Sequence, residues 1–160
     1  MLSEKARILV VDDVPANIYV LEEVLDRNLY DIDVAMDGKT VLEKVQAEPR
    51  PDLILLDIQM PGMDGYEVCR RLKEDEGTCD IPVIFVTAKD REEDEEQGFA
   101  AGAVDYISKP FSVAVVLARV KTHVALKKSR DLIAALLEKT ATDFEKSEQE
   151  YMKLYMRKLY

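Results

Sequence analysis

The chain has 160 residues, with 32 Asp and Glu against 22 Lys and Arg and a formal net charge of −10. At 48% apolar it can bury a core, so it is not a disordered chain, and its acidic balance repels phosphate backbones, so no nucleic-acid partner is expected. No apolar run approaches the roughly 20 residues of a membrane span, and Met1-Leu2-Ser3-Glu4-Lys5-Ala6-Arg7 is no secretory leader. The expectation is a cytoplasmic protein without a membrane partner. Cys69 and Cys79 lack metal-site spacing and read as reduced, structural thiols. Residues 1–118 sum to −14 and residues 119–160 to +4, which predicts an acidic globular unit followed by a mildly basic segment.

Two hydrophobic periods alternate through the first unit. Ile8-Leu9-Val10-Val11 reads as a strand, and Ile18, Leu21, Val24 and Leu25 follow at helical spacing. Ile32-Asp33-Val34-Ala35 is a second strand, with Val41, Leu42 and Val45 as its helix and Pro49-Arg50-Pro51 as a loop. Leu53-Ile54-Leu55-Leu56 is a third strand. The loop Pro61-Gly62-Met63-Asp64-Gly65 then leads to a helix carrying Tyr66, Val68, Cys69 and Leu72. After Val83-Ile84-Phe85-Val86, the fourth helix is predicted to start at Asp90, with Asp90 as cap and Glu93 reaching back as a capping box. Val104-Asp105-Tyr106-Ile107 is the fifth strand. Three of these five runs are continuously apolar, as in strands buried on both faces of a parallel sheet. The fold class is therefore α/β, a three-layer sandwich.

Beyond Pro110, Val113, Val116, Leu117, Val120 and Val124 share one face of a fifth helix. No Gly or Pro interrupts it before Tyr160. One heptad series runs Leu126, Ile133, Thr140, Ser147, Leu154; its partner series runs Arg130, Leu137, Phe144, Tyr151. The hydroxyls and the Arg make this a weak seam. The expected division is residues 1–125 as the globular domain and 126–160 as a helical extension, a weak coiled coil leading toward a further domain of a longer protein.

Ligands of an open parallel sheet gather beyond the carboxyl ends of its strands. Asp12 and Asp13 follow the first strand, Asp57 the third, Thr87 the fourth and Lys109 the fifth. Three crowded carboxylates repel one another unless a cation joins them. An all-oxygen set without His or Cys suits Mg²⁺. A cation, an ammonium and a hydroxyl around one carboxylate can cradle a phosphoryl group, and that carboxylate can be the nucleophile.

Val10-Val11-Asp12-Asp13, Leu55-Leu56-Asp57-Ile58-Gln59-Met60-Pro61-Gly62-Met63-Asp64-Gly65, Val86-Thr87-Ala88 and Ser108-Lys109-Pro110-Phe111 together resemble the receiver domain of two-component response regulators, over about residues 6–125. The resemblance implies a flavodoxin-like (βα)5 sandwich with strand order 2-1-3-4-5. It implies that Asp57 is phosphorylated by a histidine kinase or phosphotransfer protein. Asp13, Asp57 and the Gln59 backbone carbonyl would ligate Mg²⁺, with Asp12 acting through a metal-bound water. Lys109 would pair with the phosphoryl group across a cis bond to Pro110. Thr87 and Tyr106 would form a switch pair, Tyr106 turning inward when Thr87 moves to the phosphate, and Gln59 and Lys89 would tune phosphoryl lifetime. Such a domain is a phospho-acceptor and not a turnover enzyme. It acts on a downstream output or effector, and here as a homodimer through the fourth-helix, fifth-strand, fifth-helix face or the C-terminal helix. Gly98-Phe99-Ala100-Ala101-Gly102-Ala103-Val104-Asp105-Tyr106 and the stretch Asp13-Val14-Pro15-Ala16-Asn17 resemble receivers joined to cyclic-dinucleotide enzymes or other signalling outputs.

Taken singly, the same residues have plainer readings. Asp12 and Asp13 can cap a helix, Asp57 can end a strand, Tyr106 can be a core aromatic and Lys109 a solvated side chain. A small-substrate phosphatase lacks its acid/base two residues beyond a first-strand nucleophile and a flavin site lacks a Ser/Thr/Gly-rich loop, while a passive dimerising module with a vestigial acidic site is the alternative that uptake of phosphate from acetyl phosphate decides. His123, the single histidine, has no carboxylate at a telling spacing and reads as solvated or packed. Glu92-Glu93-Asp94-Glu95-Glu96 reads as a solvated helix face. Tyr151, Tyr155 and Tyr160 fit seam packing and an amphipathic docking face equally.

Overall fold

Short apolar runs separated by helices pair in parallel, because each helix carries the chain back across the sheet before the next strand begins. The computed structural model describes residues 4–89 and 91–159. In chain order the elements are β1 (Ala6–Val11), α1 (Pro15–Val24), β2 (Tyr30–Ala35), α2 (Gly38–Lys44), β3 (Leu53–Leu56), α3 (Gly65–Glu74), β4 (Val83–Thr87), α4 (Glu92–Ala100), β5 (Asp105–Ser108) and α5 (Val113–Leu159). The strands form one sheet in the order β2-β1-β3-β4-β5, with every pair parallel. The chain divides into two units, Met1–Lys127 and Lys128–Tyr160.

Alternate side chains of the sheet feed two cores in the first unit. Leu9, Val11, Ile54, Leu56, Val83 and Phe85 face α2, α3 and α4, where Val41, Val68, Cys69 and Leu72 meet them. Ile8, Val10, Leu53, Leu55, Ile84 and Val86 face the other way, onto Ile18 and Leu21 of α1 and Val116, Val120 and Val124 of α5. Strands with both faces covered need the uninterrupted apolar runs seen in β3 and β4. Edge strand β2 alternates instead, with Asp31 and Asp33 exposed.

Some details differ from the expectations. Val113 and Leu117 are exposed, so the buried face of α5 narrows to Val116, Val120, Val124 and Lys127. Lys127 is buried, and its ammonium reaches Asp80 at 3.5 Å. Helix α4 starts at Glu92 with Arg91 as the preceding residue and no side-chain cap; Asp90, expected as the cap, lies outside the described residues. Glu92, Glu93, Asp94 and Glu95 occupy the first turn of α4, at its positive end. In the second unit every described residue from Lys128 onward is exposed.

Candidate functional site

The sheet's ladder bonds continue past the strand ends, and this is what aligns the acidic residues. Asp12 donates its N–H to the Ala35 carbonyl at 3.2 Å, Asp57 to Val11 at 2.9 Å and Lys109 to Thr87 at 2.8 Å. Asp12, Asp13 and Asp57 therefore meet at one edge, and a carboxylate oxygen from each lies within 4.8 Å of the others. Asp12 and Asp57 are buried and Asp13 is half-buried.

Each carboxylate has a distinct set of partners. Asp12 does not cap α1, whose preceding residue Val14 makes no side-chain cap bond. It accepts instead from the Val14 N–H at 2.9 Å and from Asn17 Nδ2 at 3.2 Å. Lys109 Nζ donates to Asp12 Oδ2 at 2.7 Å and stands 3.8 Å from Asp57 Oδ2. The ammonium expected to serve Asp57 thus sits first on Asp12, the more deeply buried charge. Asp57 Oδ1 accepts the Ile58 N–H at 2.8 Å. Burial pushes the Asp57 carboxyl above its usual range; the Asp12 charge adds to this, while Lys109, the Thr87 hydroxyl and the Ile58 N–H oppose it. A carboxylate that stays uncomfortable beside its own lysine is short of positive charge. The donors are all oxygen, and exposed Gln59, two residues beyond Asp57, brings a backbone carbonyl to the same loop. These residues fit a hard divalent cation such as Mg²⁺.

Thr87 and Tyr106 are linked through one residue. Thr87 is buried, and its Oγ1 accepts the Lys89 N–H at 3.4 Å. The Lys89 carbonyl in turn accepts the Tyr106 hydroxyl. Tyr106 is buried with its ring 6.2 Å from Phe85, which itself meets the Tyr66 ring edge-on at 5.5 Å. The Lys89 ammonium lies 5.6 Å from the centre of the Tyr66 ring. The Lys109–Pro110 peptide is cis, as the resemblance implied, and Glu48–Pro49 is cis as well.

Three features lay outside the sequence reading. Gly65 opens α3 directly against the backbone of Asp57 and Ile58, where a Cβ would overlap; its place after Pro61-Gly62-Met63-Asp64 marked only a loop. Asn17 supports Asp12 one helical turn into α1. His123 is not without a carboxylate: its Nε2 lies 2.9 Å from Asp105 Oδ2, and Arg119 Nη1 reaches the same group at 2.9 and 3.0 Å. Asp105 also accepts the Tyr106 N–H at 2.9 Å. Burial would raise the Asp105 carboxyl, but the bonds from His123, the Tyr106 N–H and Arg119 hold it below its ordinary value. The partners lie 14 and 18 residues apart on different elements, a relation that spacing within one helix cannot reveal.

Comparison with known proteins gives a consistent picture. Residues 8–121 match the family described as the response regulator receiver domain. The chain is 48% identical over 122 residues to the response regulator PleD of Caulobacter vibrioides, a match covering 76% of this chain and 27% of that protein. It is 44% identical over 115 residues to the DNA-binding dual master transcriptional regulator RpaA of Synechocystis, covering 72% of this chain and 47% of that one. The chain thus spans less than half the length of these relatives. Among solved structures, the receiver domain of the sensor histidine kinase PA1611 of Pseudomonas aeruginosa, crystallised with a magnesium ion in its active-site cleft, aligns with a TM-score of 0.69. That alignment has 30% identity and covers 76% of this chain and 99% of that one.

Proposed function

The chain belongs to the response regulator receiver domain family, and on that premise we propose that it is a phospho-acceptor switch in which Asp57 takes a phosphoryl group from a histidine kinase or phosphotransfer protein in the cytoplasm. One observation carries the reading: three carboxylates from two strand ends share a space under 4.8 Å across, with a lysine 2.7 and 3.8 Å from two of them. No described helix is long and apolar enough to cross a membrane.

In the proposed reaction an Asp57 carboxylate oxygen bonds to phosphorus as the nitrogen–phosphorus bond of a phosphohistidine breaks, and the imidazole leaves with the bonding electrons. Asp13, Asp57 and the Gln59 carbonyl would hold Mg²⁺, with Asp12 acting through a metal-bound water, and the ion would supply positive charge against the phosphoryl oxygens. The Ile58 N–H keeps Asp57 oriented. Lys109, shared between Asp12 and Asp57, turns toward the new dianion, whose charge of about −2 outweighs a single carboxylate. Thr87 then donates its hydroxyl to a phosphoryl oxygen. Its bond to the Lys89 N–H loosens, and the Lys89 carbonyl passes the change to the Tyr106 hydroxyl. Tyr106 reports to the surface formed by α4, β5 and the first turns of α5, and Asp105 ties that strand to Arg119 and His123. The phosphoryl group shifts an existing equilibrium by its differential affinity for the two states. The signal is read by a downstream output or effector, with homodimerisation through this surface or through the C-terminal helix. The chain catalyses only its own phosphorylation and slow hydrolysis.

The test is a phosphate-affinity gel of wild type and Asp57→Ala with acetyl phosphate, with and without Mg²⁺. A shifted band that needs both Mg²⁺ and Asp57 supports the reading. Absence of a shifted wild-type band, or one that persists in Asp57→Ala, defeats it.

A further inference from the structure

We infer that Asn17 is a positioning residue for the phosphorylation: by holding Asp12 Oδ2 it lets Lys109 leave that carboxylate for the phosphoryl group on Asp57. The inference rests on the proposed phospho-acceptor reading and adds a residue to that site. Helix α1 begins at Pro15, so Asn17 is its third residue, and the Asn17 N–H donates to the Val14 carbonyl at 3.0 Å. A side chain at this position commonly reaches back to the residue before the helix. Here it reaches further: Val14 makes no side-chain cap bond, and the Asn17 amide passes it to meet Asp12 Oδ2 at 3.2 Å. The Val14 N–H takes the other oxygen, Asp12 Oδ1, at 2.9 Å. An ionised carboxylate only accepts, so the amide presents its NH2 to Asp12.

The need for such a donor arises from Lys109. Asp12 is 1% exposed, and the Lys109 ammonium sits 2.7 Å from the same Oδ2 that Asn17 holds. Asp57 Oδ2 is 3.8 Å from that ammonium. The proposed reaction asks Lys109 to turn from Asp12 to a phosphoryl group on Asp57. A buried carboxylate stripped of its ion partner is strongly disfavoured, so Asp12 resists the turn unless other donors remain. The Val14 N–H stays on Oδ1, an oxygen the move does not touch. Asn17 shares Oδ2 with Lys109 and has that oxygen to itself once the ammonium goes. Its bond is therefore stronger in the switched state, and only such a difference between states shifts the equilibrium. A hydrogen bond to a charged group is worth roughly 10- to 100-fold in an equilibrium constant. At 3.2 Å, the long end of the normal range, the Asn17 bond belongs at the lower figure, about 10-fold.

The test is isothermal titration calorimetry of the full chain with Mg²⁺ alone, then with beryllofluoride, a phosphoryl stand-in, at saturating Mg²⁺. Wild type, Asn17→Leu and Asn17→Gln are compared. Leu has nearly the shape of Asn without the donor and is the better helix former, while Gln restores an amide. Mg²⁺ alone leaves Lys109 on Asp12, whereas beryllofluoride draws it away. Asn17→Leu is expected to bind beryllofluoride about 10-fold more weakly and Mg²⁺ as wild type does, and Asn17→Gln to recover most of the loss. A merely structural role weakens both ligands alike; that result overturns the inference, as does Asn17→Gln binding no better than Asn17→Leu. Urea unfolding in EDTA adds a readout free of either ligand. Because two donors serve one oxygen, Asn17→Leu is expected to cost about 10-fold more in the unfolding constant on a Lys109→Met background than in wild type, and additive costs overturn the inference. A wild type that binds Mg²⁺ but no beryllofluoride defeats the phospho-acceptor reading and this inference with it. A wild type that binds both, matched by Asn17→Leu, defeats this inference alone.

Discussion

Replacing Gly65 with Ala tests how closely α3 is seated against Asp57. Gly65 is the buried first residue of α3, and its N–H donates to the Ile58 carbonyl at 2.8 Å. An added Cβ lands on the Asp57 carbonyl oxygen, 2.7 Å from Ile58 Cα and 3.0 Å from the Asp57 carbonyl carbon. Carbon atoms ordinarily rest about 3.5–4.0 Å apart, so the helix must retreat by about 1 Å or push Asp57 the same distance. Backbone freedom is not the issue, since the glycines with positive φ are Gly62 and Gly102. On an open helix Gly→Ala stabilises by about 0.5–1 kcal/mol, whereas overpacking costs about 1–3 kcal/mol. The balance is a net loss of about 1–2 kcal/mol, read as a lower urea midpoint at unchanged slope. A 1 Å displacement of the nucleophile slows labelling by acetyl phosphate by up to about 100-fold. The opposite sign, a variant at least as stable as wild type and labelled at the wild-type rate, would refute the close approach.

Three further outcomes follow from other parts of the molecule. Mg²⁺ relieves the repulsion among Asp12, Asp13 and Asp57, so at about 100 times its dissociation constant it adds about 2.7 kcal/mol of stability. Calorimetry with and without EDTA checks this, and an equal Mg²⁺ response in Asp13→Asn would remove Asp13 as a ligand. The Asp105 carboxyl is depressed in the folded state by His123, the Tyr106 N–H and Arg119, which together outweigh its burial. Its stabilising share is therefore present above the unfolded pKa of about 3.9 and lost as pH falls through the lower folded value. Asp105→Asn lowers stability at pH 7 by about 1 kcal/mol, and the gap to wild type begins to narrow only below about pH 4 and closes below the lower folded pKa; urea titrations at pH 7 and below that folded value measure it, and a gap independent of pH contradicts the network. Burial pushes the Cys69 thiol up to about 11, and its Sγ donates to the Ala101 carbonyl at 3.4 Å, whereas Cys79 is exposed. Iodoacetamide therefore modifies Cys79 in the native protein and Cys69 only in urea, as mass spectrometry of tryptic peptides will record.

How far the sequence could be read depended on how local each cause was. The continuous runs of β1, β3 and β4 are legible because burial on both faces demands apolar residues at every position. Asp12, Asp13, Asp57, Thr87 and Lys109 were legible for a topological reason: in a parallel sheet all strands end at one edge, so residues just past those ends must approach one another. What could not be read is the choice among neighbours at that edge. Lys109 is closer to Asp12 than to Asp57 because Asp12 is the more enclosed charge, a fact of packing. Asp105 finds Arg119 and His123 only once α5 has docked on β5. The α3 loop announced a turn, but the clash that makes Gly65 necessary exists only when β3 and α3 are in contact.

The two glycines on the α3/α4 side divide the labour between holding and moving. Gly65 is fixed against the backbone of Asp57 and Ile58, by its own bond to Ile58 and by the Asp64 cap on the Glu67 N–H at 2.9 Å. Gly98 is the buried residue of α4, and the nearest atoms an added Cβ there would meet belong to side chains, Phe85 at 3.0 Å and Tyr106 at 3.3 Å. Besides that contact, α4 is tied to α3 by the Tyr66 hydroxyl on the Asp94 carbonyl at 3.2 Å. Its remaining residues are exposed or half-buried and include four acids in the first turn. Elements with few buried apolar contacts open at the least free energy. If the proposed switch moves the Tyr106 ring, the surface beneath Gly98 moves with it, while Gly65 holds Asp57 in place. On the proposed switch, a change in charge at Asp57 is therefore expected to reach lightly held α4 before α3.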